Sequence, residues 1–232
     1  MRERASSSTT TSPAPEDSSP GASGPDAQPQ GAAPPGADTR SDPRPGAPPP
    51  PATAPPEADR LEVAALVQDD AWTADLASAD DTARRACQAA WAELPLTARS
   101  RAGAGAEASV VEISVVLADD ATVQALNRDY RGRDKPTNVL SFANLDDAGA
   151  PGTPDGEPVL LGDIVLARET VLAEARAQAK TPGDHLSHLC VHGLLHLLGY
   201  DHLADAEAET MEALERRVLA RLGIADPYAQ DP

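Results

Sequence analysis

Beyond the first quarter of the chain, apolar residues recur with two distinct periods, and each change of period marks an element. The run Leu61-Glu62-Val63-Ala64-Ala65-Leu66-Val67 reads as a first strand. Ala83, Ala86, Cys87, Ala90, Trp91 and Leu94 then fall at helical spacing, in a helix opened by Asp81 and Thr82 and closed by Pro95. Residues 97–107 are rich in Gly and Ala and read as a linker. Residues 109–117, Ser-Val-Val-Glu-Ile-Ser-Val-Val-Leu, are β-branched with apolar side chains on both faces, as a central strand requires. Asp119 or Asp120 caps a helix over 121–130 that turns Val123, Leu126 and Asn127 inward.

A basic turn, Arg131-Gly132-Arg133-Asp134-Lys135-Pro136-Thr137, leads into a short strand at 138–142. Residues 143–157 are acidic and rich in Gly and Pro, and predict a hairpin-like excursion before the next strand at 159–166. Helix formers fill 168–180, and Pro182 stands at the first position of a further helix. The last element, 205–222, sets Met211, Leu214, Val218 and Leu222 on one face and acids or arginines on the other. Helices and strands interleave without an internal repeat. The fold class expected is α+β (α/β-like), a single mixed sheet of about four strands packed with helices.

Composition changes the picture at the N-terminus. Residues 1–58 hold 15 of the 23 prolines and no Leu, Ile, Val or aromatic residue. Such a segment cannot bury enough apolar surface to offset the entropy of ordering, and is expected to be a disordered Pro/Ala/Ser-rich tail. It has no apolar run like a secretory leader, and its acids (among them Glu3, Glu16 and Asp17) argue against a transit peptide. Residues 59–232 then form one domain. No stretch is long and apolar enough to span a bilayer.

Net charge is −18, and the tail carries only four Arg against seven acids, so 15 of those negative charges fall on the domain. A domain so acidic repels nucleic acid at long range, and binding RNA demands a local basic patch. The two cysteines, Cys87 and Cys190, fall in different predicted helices; the count implies neither a disulfide framework nor a Cys-type zinc site and fits a reducing, cytoplasmic setting.

Three of the five histidines lie in His192-Gly193-Leu194-Leu195-His196-Leu197-Leu198-Gly199-Tyr200-Asp201-His202. Residues four apart on a helix share a face, so the first two imidazoles can reach one metal ion. Gly199 readily takes the left-handed conformation that ends a helix, letting the chain turn and bring His202 to the same point. Three neutral imidazoles with one open position form the ligand set of a catalytic zinc, one Zn2+ per chain, on His192, His196 and His202. Asp163, Asp184 and Asp201 are candidates to orient those rings, although a cap or surface role suits each better. His188 shares the face of His192, and both it and His185 are read as ordinary partly buried histidines.

With Leu126-Asn127, Tyr130-Arg131, Asp134 to Phe142, Leu161-Gly162-Asp163-Ile164 and the histidine stretch, in that order, the chain resembles the YbeY family over about residues 61–222. Those proteins are single-zinc endoribonucleases of rRNA maturation. The resemblance implies a mixed sheet of about four strands, zinc on the same three histidines, and a catalytic arginine at Arg131. It further implies single-stranded RNA, rRNA precursor and the ribosomal small subunit with its proteins as partners, with no DNA or membrane. The function implied is a metal-dependent endoribonuclease, specific for single strands, in small-subunit (16S) rRNA maturation and ribosome quality control. Ala143 departs from the pattern, which has Pro after Ser-Phe.

The chemistry is coherent with that. A three-histidine zinc acidifies water and polarises a phosphoryl oxygen. Arg131 can meet the phosphorane bidentately, with Arg128, Arg133 and Lys135 as the local patch. A plain surface ion pair of Arg131 with Asp129 or Asp134 is the alternative. His-x-x-x-His-x-x-Gly-x-x-His is also the spacing of a class of metallopeptidases, which carry a Glu base where this chain has Gly193. A non-catalytic, zinc-stabilised ribosome assembly factor is the third reading, and it predicts that Arg131→Ala leaves function intact.

Overall fold

The structure, a computed structural model, describes residues 60–101, 110–144 and 157–229. The expected tail at 1–58, part of the predicted linker and most of the acidic excursion lie outside the described residues. Four strands, β1 (Leu61–Val67), β2 (Val111–Ala118), β3 (Val139–Ala143) and β4 (Val159–Ala167), form one sheet in the order β1-β2-β4-β3. β1 and β2 run parallel, as do β2 and β4, whereas β3 pairs antiparallel with β4. The sheet is therefore mixed, with the β-branched strand β2 inside it. Its inward face is Val111, Ile113, Val115 and Leu117; the alternate residues Glu112, Ser114 and Val116 are half-buried.

The helices are α1 (Ala71–Asp75), α2 (Ala79–Glu93), α3 (Leu96–Arg101), α4 (Asp120–Arg131), α5 (Arg168–Ala177), α6 (Pro182–Leu197) and α7 (Asp205–Arg221). α1 has no apolar period long enough to read in five residues; it forms because Trp72 is fully buried and its Nε1 donates to the Ala118 carbonyl at 2.9 Å. α3 corrects the linker expected at 97–107, because Leu96 to Arg101 continue as a helical turn after Pro95. α2 begins at Ala79, two residues before the predicted opening, with Ala79 itself buried.

Two cores flank the sheet. α2, α6 and α7 build the larger one with Ile113, Leu117, Ile164 and Leu166, around Trp91, Leu186, Leu194, Leu195 and Met211. On the other face Val123 of α4 packs on Ala118, Leu140, Val165 and Ala167. The alternation of β3 divides its side chains between the two layers. Leu140 and Phe142 join the smaller core, while Val139, Ser141 and Ala143 point toward α6.

α6 is the most deeply placed helix. Thr181 caps it, its hydroxyl accepting from the Asp184 N–H at 3.0 Å, and Pro182 occupies the first turn as expected. Gly193 brings it close to the sheet: a Cβ there would come within 2.8 Å of Ile164 Cγ2 and 3.2 Å of Ser141 Oγ. A second tie is polar. Glu174 of α5 accepts from Asn138 Nδ2 at 2.9 Å and holds the buried His185 ring of α6 at 2.9 Å. No helix among the described residues is long and apolar enough to cross a membrane.

Candidate metal centre and its cavity

The helical part of the histidine motif ends where the sequence predicts. The Gly199 backbone is left-handed at φ +78°, and the Tyr200 N–H donates back to the Leu195 carbonyl at 3.0 Å. The chain thereby reverses and returns His202, whose N–H donates to its neighbour Asp201 at 2.7 Å. One ligand-capable atom from each of His192, His196 and His202 lies within 4.8 Å of the others. The Nε2 atoms of His192 and His196 face each other at 3.0 Å.

These donors fit a metal ion. Three nitrogens bound ~2.0–2.1 Å from a tetrahedral zinc stand about 3.4 Å apart, and small ring rotations bring a triad lying within 4.8 Å to that spacing. Burial, with help from His192 and His202, pushes the His196 pKa down to about 4, so its ring is neutral near pH 7, the state that coordinates. No carboxylate or cysteine joins the cluster among the described residues, leaving one position for water or substrate.

The three histidines open into a cavity of about 720 Å³, whose other walls are β3 (Val139, Ser141, Ala143) and the basic turn after α4. Arg131 and Arg133 line it. How the turn is held is visible in its backbone. Gly132 closes α4 at φ +66°, and buried Asn127 donates to the Lys135 carbonyl at 2.7 Å. The surface-pair alternative for Arg131 does not materialise: Asp129 is taken by Arg128 at 2.9 Å, and Asp134 accepts from Gln124 at 2.9 Å. Arg131 is exposed and makes no ion pair with any described residue.

None of Asp163, Asp184 and Asp201 hydrogen-bonds a ligand imidazole. The carboxylate that does is Glu215 of α7, whose Oε1 stands 2.8 Å from His192 Nδ1. The sequence places Glu215 on the polar face of α7, whereas the structure buries it completely beside Met211, Leu214 and Val218. The available signal was an acid at positions i+4 and i−3 from two core residues. His188 also reaches Glu215, at 3.3 Å, and is less ordinary than expected. Gly193, the position of the peptidase base, faces Ile164 and the sheet rather than the cavity.

Fold and site together define a small α+β protein with a three-histidine centre and an arginine, unpaired among the described residues, lining one cavity. The family model described as Endoribonuclease YbeY matches residues 75–223, and the chain belongs to that family. Endoribonuclease YbeY of Paramagnetospirillum magneticum is 68% identical over 121 residues, 52% of this chain and 73% of its own. The Endoribonuclease YbeY proteins of Parvibaculum lavamentivorans and Azorhizobium caulinodans are each 50% identical over 74% and 73% of this chain, and 86% and 97% of theirs.

Proposed function

We propose that residues 59–232 form a zinc-dependent endoribonuclease that cuts single-stranded segments of rRNA precursors, in small-subunit (16S) maturation and ribosome quality control in the cytoplasm. The observation that carries this reading is one cavity holding three convergent imidazoles and an arginine that pairs with no acid among the described residues. Family membership supports the phosphodiester substrate. The reduced, buried cysteines Cys87 and Cys190 accord with the compartment.

His192, His196 and His202 hold the zinc, which supplies Lewis acidity and an acidified water at neutral pH. Arg131 binds the scissile phosphate through two parallel N–H donors and meets the charge that grows on its oxygens in the transition state. Arg133 and Lys135, exposed on the same turn, engage neighbouring phosphates and give the acidic domain an attractive face beside the cavity. Ser141 donates its hydroxyl to the Gly193 carbonyl at 3.2 Å and so fixes the wall of β3 against the metal-bearing helix.

The test is elemental analysis of gently purified protein beside a cleavage assay on rRNA precursor, with His196→Ala as control. One zinc per chain and cleavage that both disappear in the variant are expected. Protein free of transition metal that still cuts would overturn the reading.

A further inference from the structure

Glu215 is the only acidic side chain among the described residues with no solvent exposure at all. A carboxylate at that depth ordinarily takes up a proton rather than remain charged. Here its partners prevent that. His192 Nδ1 lies 2.8 Å from Oε1, and Oε2 receives both the Tyr228 hydroxyl and His188 Nε2, the latter at 3.3 Å. Three hydrogen-bonding groups thus converge on its two oxygens, the arrangement that favours the ionised carboxylate over the neutral acid. Burial, together with the Glu215 contact, pushes the Tyr228 hydroxyl well up, so it stays a donor. His188 Nδ1 has no partner among the described residues, which leaves the proton on the nitrogen that faces Glu215.

Holding α7 against α6 does not require a charge, since an apolar pair of similar volume does that as well or better. What an apolar pair cannot do is choose which nitrogen of His192 carries the proton. An anionic acceptor at Nδ1 keeps the hydrogen there and leaves the Nε2 lone pair facing His196 and His202. We propose that Glu215 is the positioning residue of this centre, fixing the tautomer and aim of His192, and that Tyr228 and His188 in turn hold Glu215. The segment after α7, through Tyr228, thereby belongs to the metal site although it contributes no ligand. The proposal rests on the reading of the three histidines as zinc ligands.

Zinc affinity of the full chain is measured by competition with a chromophoric chelator, for the wild type, Glu215→Gln, Tyr228→Phe and His192→Ala. Long-range proton–nitrogen spectra of the metal-free proteins report the His192 tautomer, which a purely structural role would not move. Glu215→Gln is expected to weaken zinc binding about 10–100-fold and to mix the two tautomers. Tyr228→Phe, which removes only one hydroxyl from a side chain near the surface, shifts both readouts the same way by less, and it decides the matter if the Gln variant does not fold. Unchanged affinity and a single tautomer in the folded Gln variant, or in Tyr228→Phe where that variant decides, overturn the proposal while His192→Ala still loses zinc. Wild type that holds zinc no better than His192→Ala overturns the ligand reading and the proposal with it.

Discussion

Gly193 and Ile164 meet where α6 comes closest to the sheet, and a methyl group on Gly193 would press on Ile164 Cγ2 at 2.8 Å and Cδ1 at 3.2 Å. Ile164 is fully buried and its β-branched side chain has little freedom to yield. Gly193→Ala gains ~1 kcal/mol of helix propensity, yet overpacking of this kind costs ~1–3 kcal/mol. A net loss of stability is expected in urea titrations, together with weaker zinc retention as α6 lifts from Ser141. Wild-type stability would show that the helix has room to move.

Arg131→Ala should leave zinc content and fold intact and lower cleavage of single-stranded RNA by ~10²–10³, the usual loss for one donor aimed at developing charge. Arg131→Lys restores only part, because an ammonium cannot reproduce two parallel hydrogen bonds. Near-normal cleavage by the alanine variant would leave the non-catalytic assembly reading in possession.

The pH dependence of stability has an identifiable source away from the metal. Burial lowers the His185 pKa below 6.5, more than Glu174 raises it, and Nδ1 has no acceptor for a second proton among the described residues. Because the folded pKa lies below the unfolded one, the unfolded state binds the extra proton first. The contribution of His185 is complete above about pH 6.5 and declines as pH falls from there through the folded pKa. In chelator-treated samples, the wild type should lose more melting temperature between pH 7.5 and 5.5 than His185→Gln, which keeps a donor for Glu174 but does not titrate. Equal losses would place the acid sensitivity elsewhere.

Removing residues 1–58 should leave the melting temperature and the cleavage rate within error, since that segment has no Leu, Ile, Val or aromatic side chain with which to dock. A large drop in melting temperature would show that it packs on the domain.

Much of this arrangement is legible in the sequence, for local reasons. β1, the strand at 159–166 and the helix begun by Pro182 follow from period and caps that lie within a dozen residues of each other. The three histidines are legible because helix geometry and one left-handed glycine bring them together without help from the rest of the chain. Glu215 was not, because its partner His192 lies 23 residues away and an acid on an amphipathic helix reads as solvent-facing. Likewise α3 hides in a stretch of Ala and Arg whose composition resembles a linker. Trp72 makes α1 only through a carbonyl 46 residues distant.

The basic turn has a consequence for how tightly substrate is held. Arg131, Arg133 and Lys135 stand on a domain that carries 15 of the chain's 18 net negative charges. Each phosphate neutralised on a single strand contributes about −0.7 to the slope of log affinity against log salt, so three cations set that slope near −2. Counterion release is then a small driving force for holding RNA at physiological ionic strength. Under the proposed function, residence long enough to cut would come from whatever else presents the strand, and the choice of cleavage site would belong to the folded precursor as much as to the cavity.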